Sequence, residues 1–373
     1  MQIKIAYFNG ALKKGDGVTH VLLDLIREAI KKGNEPLMIT SRTDDGSIMP
    51  VPVIQTPAIV FPLYREYYLA LPGIRGFKKK LDEFKPDIIH IHSPDTNGWA
   101  ALKYAKKNHI PIVATHHTDF NKYLSYYHLS IFRPLLSHML KRLYTQMNFV
   151  TTPSESVSQE LIEHGVKDVF TIPWGVDPTR FNPSFRSMEW REKILKKKEG
   201  KILLCVCRLT WEKDLRTLAE IYNLLRRDRN DFSMIIVGDG PIRRELESLM
   251  PGAIFLGFIE GLELSKVYAS CDIFIFPSST ETFGSVTIEA MASGLVPIVA
   301  LAGGSKSLVQ NGENGFLARP KDVSDFYEKT RVLLDDNQKK EKMRSAGLIS
   351  VKKFAWEKVF GEFLSKYLTL LDV

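Results

Sequence analysis

Cysteine is scarce in this chain: 373 residues hold three, Cys205, Cys207 and Cys271. So few exclude a disulfide framework, and no Cys/His cluster stands at zinc-ligand spacing. Cys205 and Cys207 lie two apart in the strand-like run KILLCVCRL and point the same way from the pleat, so buried packing is their expected role. No apolar run approaches the roughly 18 residues that would span a bilayer. The opening MQIKIAYFNG reads as a strand and not as a secretion signal. A complete GxGxxG after that strand is missing as well, which disfavours a dinucleotide oxidoreductase. These absences leave a cytoplasmic protein, at most resting on a membrane face.

What is present is ordinary for a globular chain, 44% hydrophobic and 25% charged, and ample for two buried cores. The length is about twice that of a usual domain, so two domains are the natural expectation. Lys and Arg outnumber Asp and Glu by 51 to 43, a net charge of +8. That balance favours anionic partners: a phosphorylated substrate, an acidic membrane surface or nucleic acid.

Strand and helix signals alternate. IKIAYF is followed by a glycine loop and the amphipathic VLLDLIREAIKKG; DIIHIHS and IPIVATHH are separated by WAALKYAKKN. The segment IPWGVDPTRFNPSF, with three prolines and a glycine, interrupts the rhythm and is the best linker candidate. The alternation then restarts with KILLCVCRL, SMIIVGDGP, AIFLGFI and DIFIFPSS. Two doubly wound α/β halves follow from this pattern, with ligands expected beyond the carboxyl ends of their strands.

Several strand-end loops carry polar residues, each with a bland reading beside the functional one. GDGV at 15–18 either lets backbone amides approach a phosphate or is a plain tight turn. Arg208 and Lys213 in CRLTWEKDL either neutralise a diphosphate or are solvated cations. In VATHHTDFNKYLSYYH, His117 or His116 would donate to a substrate hydroxyl and Asp119 accept from one, unless the loop is merely self-satisfied. In SSTETFGSVTIEAMASG, Phe283, Gly284 and Ser285 form the mouth of a helix whose free N–H groups suit an anion. Glu281 precedes that mouth and Glu289 lies more than a turn inside, in reach of a diol; a capped core helix with incidental acids is the alternative.

Glu281, seven residues, then Glu289 is the spacing of the paired-glutamate motif of retaining GT-B glycosyltransferases. ETFGSVTIEAMASGLVPIVA closely resembles glycosyltransferase family four. GDGVTHVLLDL, ATHHTD, IPWGVDPTRF, CRLTWEKD, GGSKSLVQNGENGFL and FAWEKVFGEFLSKY resemble further family segments in the expected order, so the likeness covers nearly the whole chain.

The resemblance implies an α/β GT-B fold of two Rossmann-like doubly wound domains facing a central cleft. Residues 1–172 would form the acceptor domain, 173–185 the linker and 186–354 the nucleotide-sugar domain, with a helix at about 355–373 crossing back. Arg208 and Lys213 would hold the donor diphosphate and Glu289 the ribose. Glu281, with Phe283, Gly284, Ser285 and Val286, would hold the transferred sugar and its phosphate. His117 would stand beside the sugar, and Gly17 near the donor phosphate or the acceptor. Asp16, Asp119, Tyr123 and Tyr127 are the acceptor-side candidates. The chain departs from the family at Asp16, Cys207 and Asp214, where glycine is common, and at Ser305 and Ser307, where Pro and Glu are frequent.

The activity implied is transfer of a mannose- or glucose-type hexose from a UDP- or GDP-sugar to a lipid-linked or glycan hydroxyl. No DxD-type pair stands in a suitable loop, so no metal or other cofactor is expected. SIFRPLLSHMLKRLY, with Arg133, Lys141 and Arg142, would allow peripheral contact with anionic lipid, unless it is a core helix with a solvated basic face. Nucleic acid is not an expected partner. A nucleotide-sugar 2-epimerase and a noncatalytic nucleotide-sugar-binding protein are the rival readings.

Overall fold

The run KIAYFN forms β1 (Lys4–Asn9), almost wholly buried, near the centre of a parallel sheet. The computed structural model describes residues 2–13, 15–41, 49–60, 68–71, 75–117, 130–195 and 200–372. Within them, β1 is followed by β2 (Glu35–Thr40), β3 (Val53–Gln55), the antiparallel pair β4 (Ala58–Val60) and β5 (Tyr68–Ala70), then β6 (Ile88–Ile91), β7 (Ile112–Thr115), β8 (Phe149–Thr152) and β9 (Val169–Thr171). The sheet order is β3-β2-β1-β6-β7-β8-β9, so the winding reverses between β1 and β6. Loops leaving the carboxyl ends of those two strands flank a switch point, where doubly wound sheets bind ligands.

Helices cover this sheet because their apolar residues recur every three or four positions. In Gly17–Lys31, Val21, Leu22, Leu25, Ile26 and Ala29 are buried, and Asp16 caps the first turn by accepting from the Thr19 amide. The C-terminal helix Trp356–Leu370 follows the same rule, burying Trp356, Val359, Phe360, Phe363 and Tyr367. It belongs to the first of two compact units, Met1–Gly175 with Trp356–Val373. Tyr367 ties it in, with its hydroxyl 2.7 Å from His90 Nδ1.

The second unit is Val176–Ala355. Its strands are β10 (Lys201–Val206), β11 (Phe232–Val237), β12 (Ile254–Gly257), β13 (Ile273–Phe276), β14 (Val296–Ala300) and β15 (Phe316–Ala318). Their order, β12-β11-β10-β13-β14-β15, puts a switch point between β10 and β13. Cys205 and Cys207 are buried at the end of β10. Residues 176–185 pack within this unit: the Phe181 ring meets Tyr268 edge-on at 5.6 Å. Just beyond, Arg186 donates to Ala269 O and Asp272 Oδ1.

Candidate active site

At the second unit's switch point, the loops after β10 and β13 are stitched together. Thr280 Oγ1 donates to Glu212 O at 3.1 Å, and Asp214 Oδ2 accepts from the Ser279 amide (3.1 Å) and hydroxyl (2.7 Å). Asp214 adopts the left-handed conformation, φ 53°, just before the helix Leu215–Asp228. Glycine enters that conformation freely; aspartate tolerates it and here adds two hydrogen bonds.

That stitching brings Lys213 Nζ to 2.7 Å from Glu281 Oε1, in a pair whose side chains are 15% and 16% exposed. Ser278 Oγ donates to the same oxygen at 3.0 Å. Arg208, exposed, stands at the head of the β10 loop.

The helix Ser285–Ala292 opens beside Glu281. Its N-cap, Gly284, has φ 98°, and a Cβ there would lie 2.4 Å from Ser305 Oγ, so only glycine fits. The 303–304 loop presses on the same turn: Gly304 N donates to Glu281 O at 2.6 Å. A Cβ on Gly304 would stand 2.1 Å from Thr282 O. First-turn amides such as those of Ser285 and Val286 have no partner inside the helix. Among the described residues the buried Ser285, Thr287 and Ser305 hydroxyls also lack partners. Phe283, by contrast, contributes its backbone only, since its ring is buried against Phe354.

Glu289, one turn on, accepts from Tyr268 OH at 3.0 Å. Burial raises the Tyr268 phenol well above its usual range and the Glu289 charge adds to this, so it acts as a donor at any ordinary pH. If Glu289 receives a substrate hydroxyl, Tyr268→Phe is expected to raise the KM for that substrate about fivefold with kcat unchanged, the worth of one hydrogen bond. Steady-state kinetics checks this, and an unchanged KM would remove Tyr268 from the site.

In the first unit, His117 follows β7 and is buried, with Nε2 2.7 Å from His92 Nδ1 and its ring 5.4 Å from that of Trp174. Burial pushes His117 down to about 3, so the ring is neutral. His116 turns into the core, its Nδ1 3.0 Å from Tyr144 OH. Asp16 is engaged as a cap, while Gly17 is exposed, with open space where a Cβ would be. Asp119, Tyr123 and Tyr127 lie outside the described residues. At the β6 end, Asp95 caps the helix Thr96–Asn108 through the Asn97 and Gly98 amides, and burial pushes its carboxyl up to about 6.

Sequence reasoning missed His92, Tyr268 and Ser278. The HIH spacing of His90 and His92, which puts both rings on one side of a strand end, was the available signal for His92. Nothing local marks Tyr268, which reaches Glu289 from a helix 21 positions away. Among the described residues no group of three or more His, Cys, Asp or Glu is arranged to hold a metal ion.

Residues 15–180 match the family described as Glycosyltransferase Family 4, and residues 187–348 match Glycosyl transferases group 1. A GDP-mannose-dependent alpha-mannosyltransferase from Corynebacterium glutamicum is 33% identical over 94% of this chain and 85% of its own length. The chain belongs to glycosyltransferase family 4. Another relative, the sulfoquinovosyl transferase SQD2 of Arabidopsis thaliana, is 34% identical over 89% of this chain and 66% of its own.

Among solved structures, Anabaena HepE in complex with UDP and glucose superposes with a TM-score of 0.79 at 20% identity, covering all of both chains. Such neighbours show the fold: α/β, two Rossmann-like parallel-sheet units of the GT-B class. As a family member, the chain is a glycosyltransferase that takes its sugar from a nucleotide-sugar donor.

Proposed function

We propose that the chain is a retaining hexosyltransferase. It moves a mannose- or glucose-type sugar from a UDP- or GDP-sugar to a hydroxyl of a lipid-linked or glycan acceptor, without a metal ion. The observation that carries this is the Lys213–Glu281 pair, 2.7 Å apart, beside the Gly284 helix mouth. Lys213, Arg208 and the first-turn amides supply positive potential where a nucleoside diphosphate would leave, and each such donor is worth about 3 kcal/mol. Glu289, oriented by Tyr268, takes the ribose hydroxyls.

Glu281 acts as a positioner in this reading and not as a nucleophile. Its Oε1 already holds the Lys213 ammonium and the Ser278 hydroxyl, which lowers its readiness to attack carbon. Transfer then runs on one face of the sugar: the C1–O bond to the diphosphate breaks and the acceptor oxygen bonds C1 from the same side. The acceptor's proton passes to the leaving phosphate oxygen. A mannose- or glucose-type donor is favoured by the GDP-mannose-dependent relatives and by a relative named alpha-monoglucosyldiacylglycerol synthase, from Streptococcus pneumoniae.

Among the described residues no helix is long and apolar enough to cross a membrane. Around the helix Arg133–Tyr144, however, Ile131 (84% exposed), Phe132, Leu135 (60%) and Met139 stand outward with the exposed cations Arg133, Lys141 and Arg142. An apolar surface ringed by cations suits peripheral contact with an anionic bilayer.

Thermal unfolding across UDP-, GDP- and ADP-sugars tests the donor site. A saturating UDP- or GDP-hexose is expected to stabilise the chain by roughly 3 kcal/mol at a hundred times its Kd. No shift with any of them would overturn the reading. In the turnover assay, a product with inverted anomeric configuration, or activity lost to EDTA and restored by magnesium, would remove retention or metal independence respectively. Epimerised sugar released without an acceptor would favour the epimerase.

A further inference from the structure

We infer that the second unit carries an anion site separate from the donor site: a cavity at the amino ends of β10, β11 and β13 where Lys201, Lys340 and Asn337 take a small phosphate-type dianion. The inference does not rest on the proposed activity.

The cavity measures about 370 Å³, and its charged and polar lining is Arg191, Lys201, Asp231, Asp272, Asn337 and Lys340. Lys201 opens β10, while Asp231 and Asp272 immediately precede β11 and β13, and these three strands are neighbours in the sheet. The loops that hold Lys213 and Glu281 leave the opposite, carboxyl ends of β10 and β13. The volume falls in the range of small-molecule sites.

The charges around this cavity do not balance. Asp272 accepts from Arg186 and Arg191, at 3.1 Å each, and from the Ile202 amide at 2.8 Å. Asp231 is held by Arg229 through Nε (2.6 Å) and Nη2 (2.7 Å), and Nη1 of the same guanidinium takes Asp335 at 2.8 Å. Three carboxylates are thus met by three guanidinium groups, and the ammonium groups of Lys201 and Lys340 are left over. Lys340 is only 7% exposed, yet among the described residues it makes no ion pair; its one hydrogen bond goes to Asn337 Oδ1 at 2.7 Å. A buried lysine without a counter-ion is rare, because one neutral acceptor does not compensate for desolvating an ammonium. Burial pulls Lys340 below the ordinary lysine range; Asp272 and Glu341 oppose this, and Lys201 and Arg186 add to it. An anion bound by both lysines relieves their repulsion.

Asn337 narrows the chemistry of that anion. Lysine only donates, so the Asn337 atom facing it is the carbonyl oxygen, and the amide NH2 remains as a donor. Arg191 adds charge but has its Nη1 and Nη2 already donating to Ser270 O, Asp272 Oδ2 and Gly200 O. Two ammonium groups and an amide, all donors, suit an oxyanion of two charges: inorganic phosphate or a phosphomonoester. Lys340 is recessed, so the ligand is a free anion and not a lipid headgroup fixed in a bilayer.

Isothermal titration of inorganic phosphate into the full-length chain, at an ionic strength held constant with sodium chloride, tests the site. Lys340→Met and Lys201→Met are each expected to weaken phosphate binding roughly tenfold to a hundredfold, the worth of one hydrogen bond between charged groups. Lys213→Ala, which strips a cation from the donor site, is expected to leave this binding in place. No phosphate binding by the wild-type chain, or binding undiminished in both lysine variants, would overturn the inference. In the second case, loss in Lys213→Ala would put the phosphate in the donor site instead. Binding of vesicles containing phosphatidic acid without binding of free phosphate would overturn it as well. If Lys340→Met does not fold, Lys201→Met, at a half-buried position, decides by the same criterion.

Discussion

Lys213→Ala is expected to lower kcat for sugar transfer about 10²- to 10³-fold, the cost of removing one preorganised charge from a developing oxyanion. The lysine does two things that alanine cannot. On the proposed function it offers a cation to the departing diphosphate, and it holds Glu281 Oε1 at 2.7 Å. After substitution Glu281 keeps Ser278 as its donor but loses its ion-pair partner. Lys213→Arg is expected to recover only part of the rate. The planar guanidinium is larger than the ammonium it replaces, and the site leaves the Lys213 side chain only 15% exposed. Steady-state kinetics with the donor identified by thermal shift checks both variants. A fall of less than about fivefold for Lys213→Ala would take the diphosphate away from this loop.

Acid is expected to destabilise the first unit from pH 6.5 downward. His90, His92 and His117 are buried and neutral there, and desolvation lowers each below the ordinary value of 6.5. The unfolded chain binds protons near 6.5 while the folded unit does not, so their contribution to stability is whole above that pH. It is lost as pH falls toward about 3, where His117 protonates in the fold. At about pH 5.5 each ring costs about 1.4 kcal/mol, and the three together about 4 kcal/mol.

Asp95 works in the opposite direction. Its carboxyl, pushed up to about 6, protonates in the folded unit before it does in the unfolded chain, and so offsets part of the loss. Urea unfolding followed by tryptophan fluorescence between pH 7.5 and 5.5 reads the net effect through Trp174 and Trp356. A midpoint that does not move over this interval would mean that the histidines are not neutral in the fold.

How much of this was legible beforehand depended on the range of the forces involved. Parallel strands buried on both faces read as short apolar runs, and KIAYFN and KILLCV could be placed from pattern alone. The glycine before Ser285 and the acids at 281 and 289 sit within one turn-and-helix segment, so their spacing is a local property. The segment 173–185 read as a linker because its prolines exclude helix and central strand. In the fold its residues 176–185 belong to the second unit, where Phe181 packs on Tyr268, a long-range contact that composition does not report.

By itself, then, the sequence determined an α/β chain of two doubly wound halves, the polar strand-end loops, and the glycine-gated helix mouth. These follow from periodicity and turn chemistry over spans of a few to about twenty residues. The tertiary structure alone decided which loops meet. β10 pairs with β13, and not with β12, which its place in the chain would equally allow, and that neighbourhood brings Lys213 to Glu281 across 68 positions. The same kind of strand order sets β6 beside β7, so that His92 meets His117. Both pairings are products of sheet order, which is fixed by packing over the whole unit and leaves no mark on the residues that it joins.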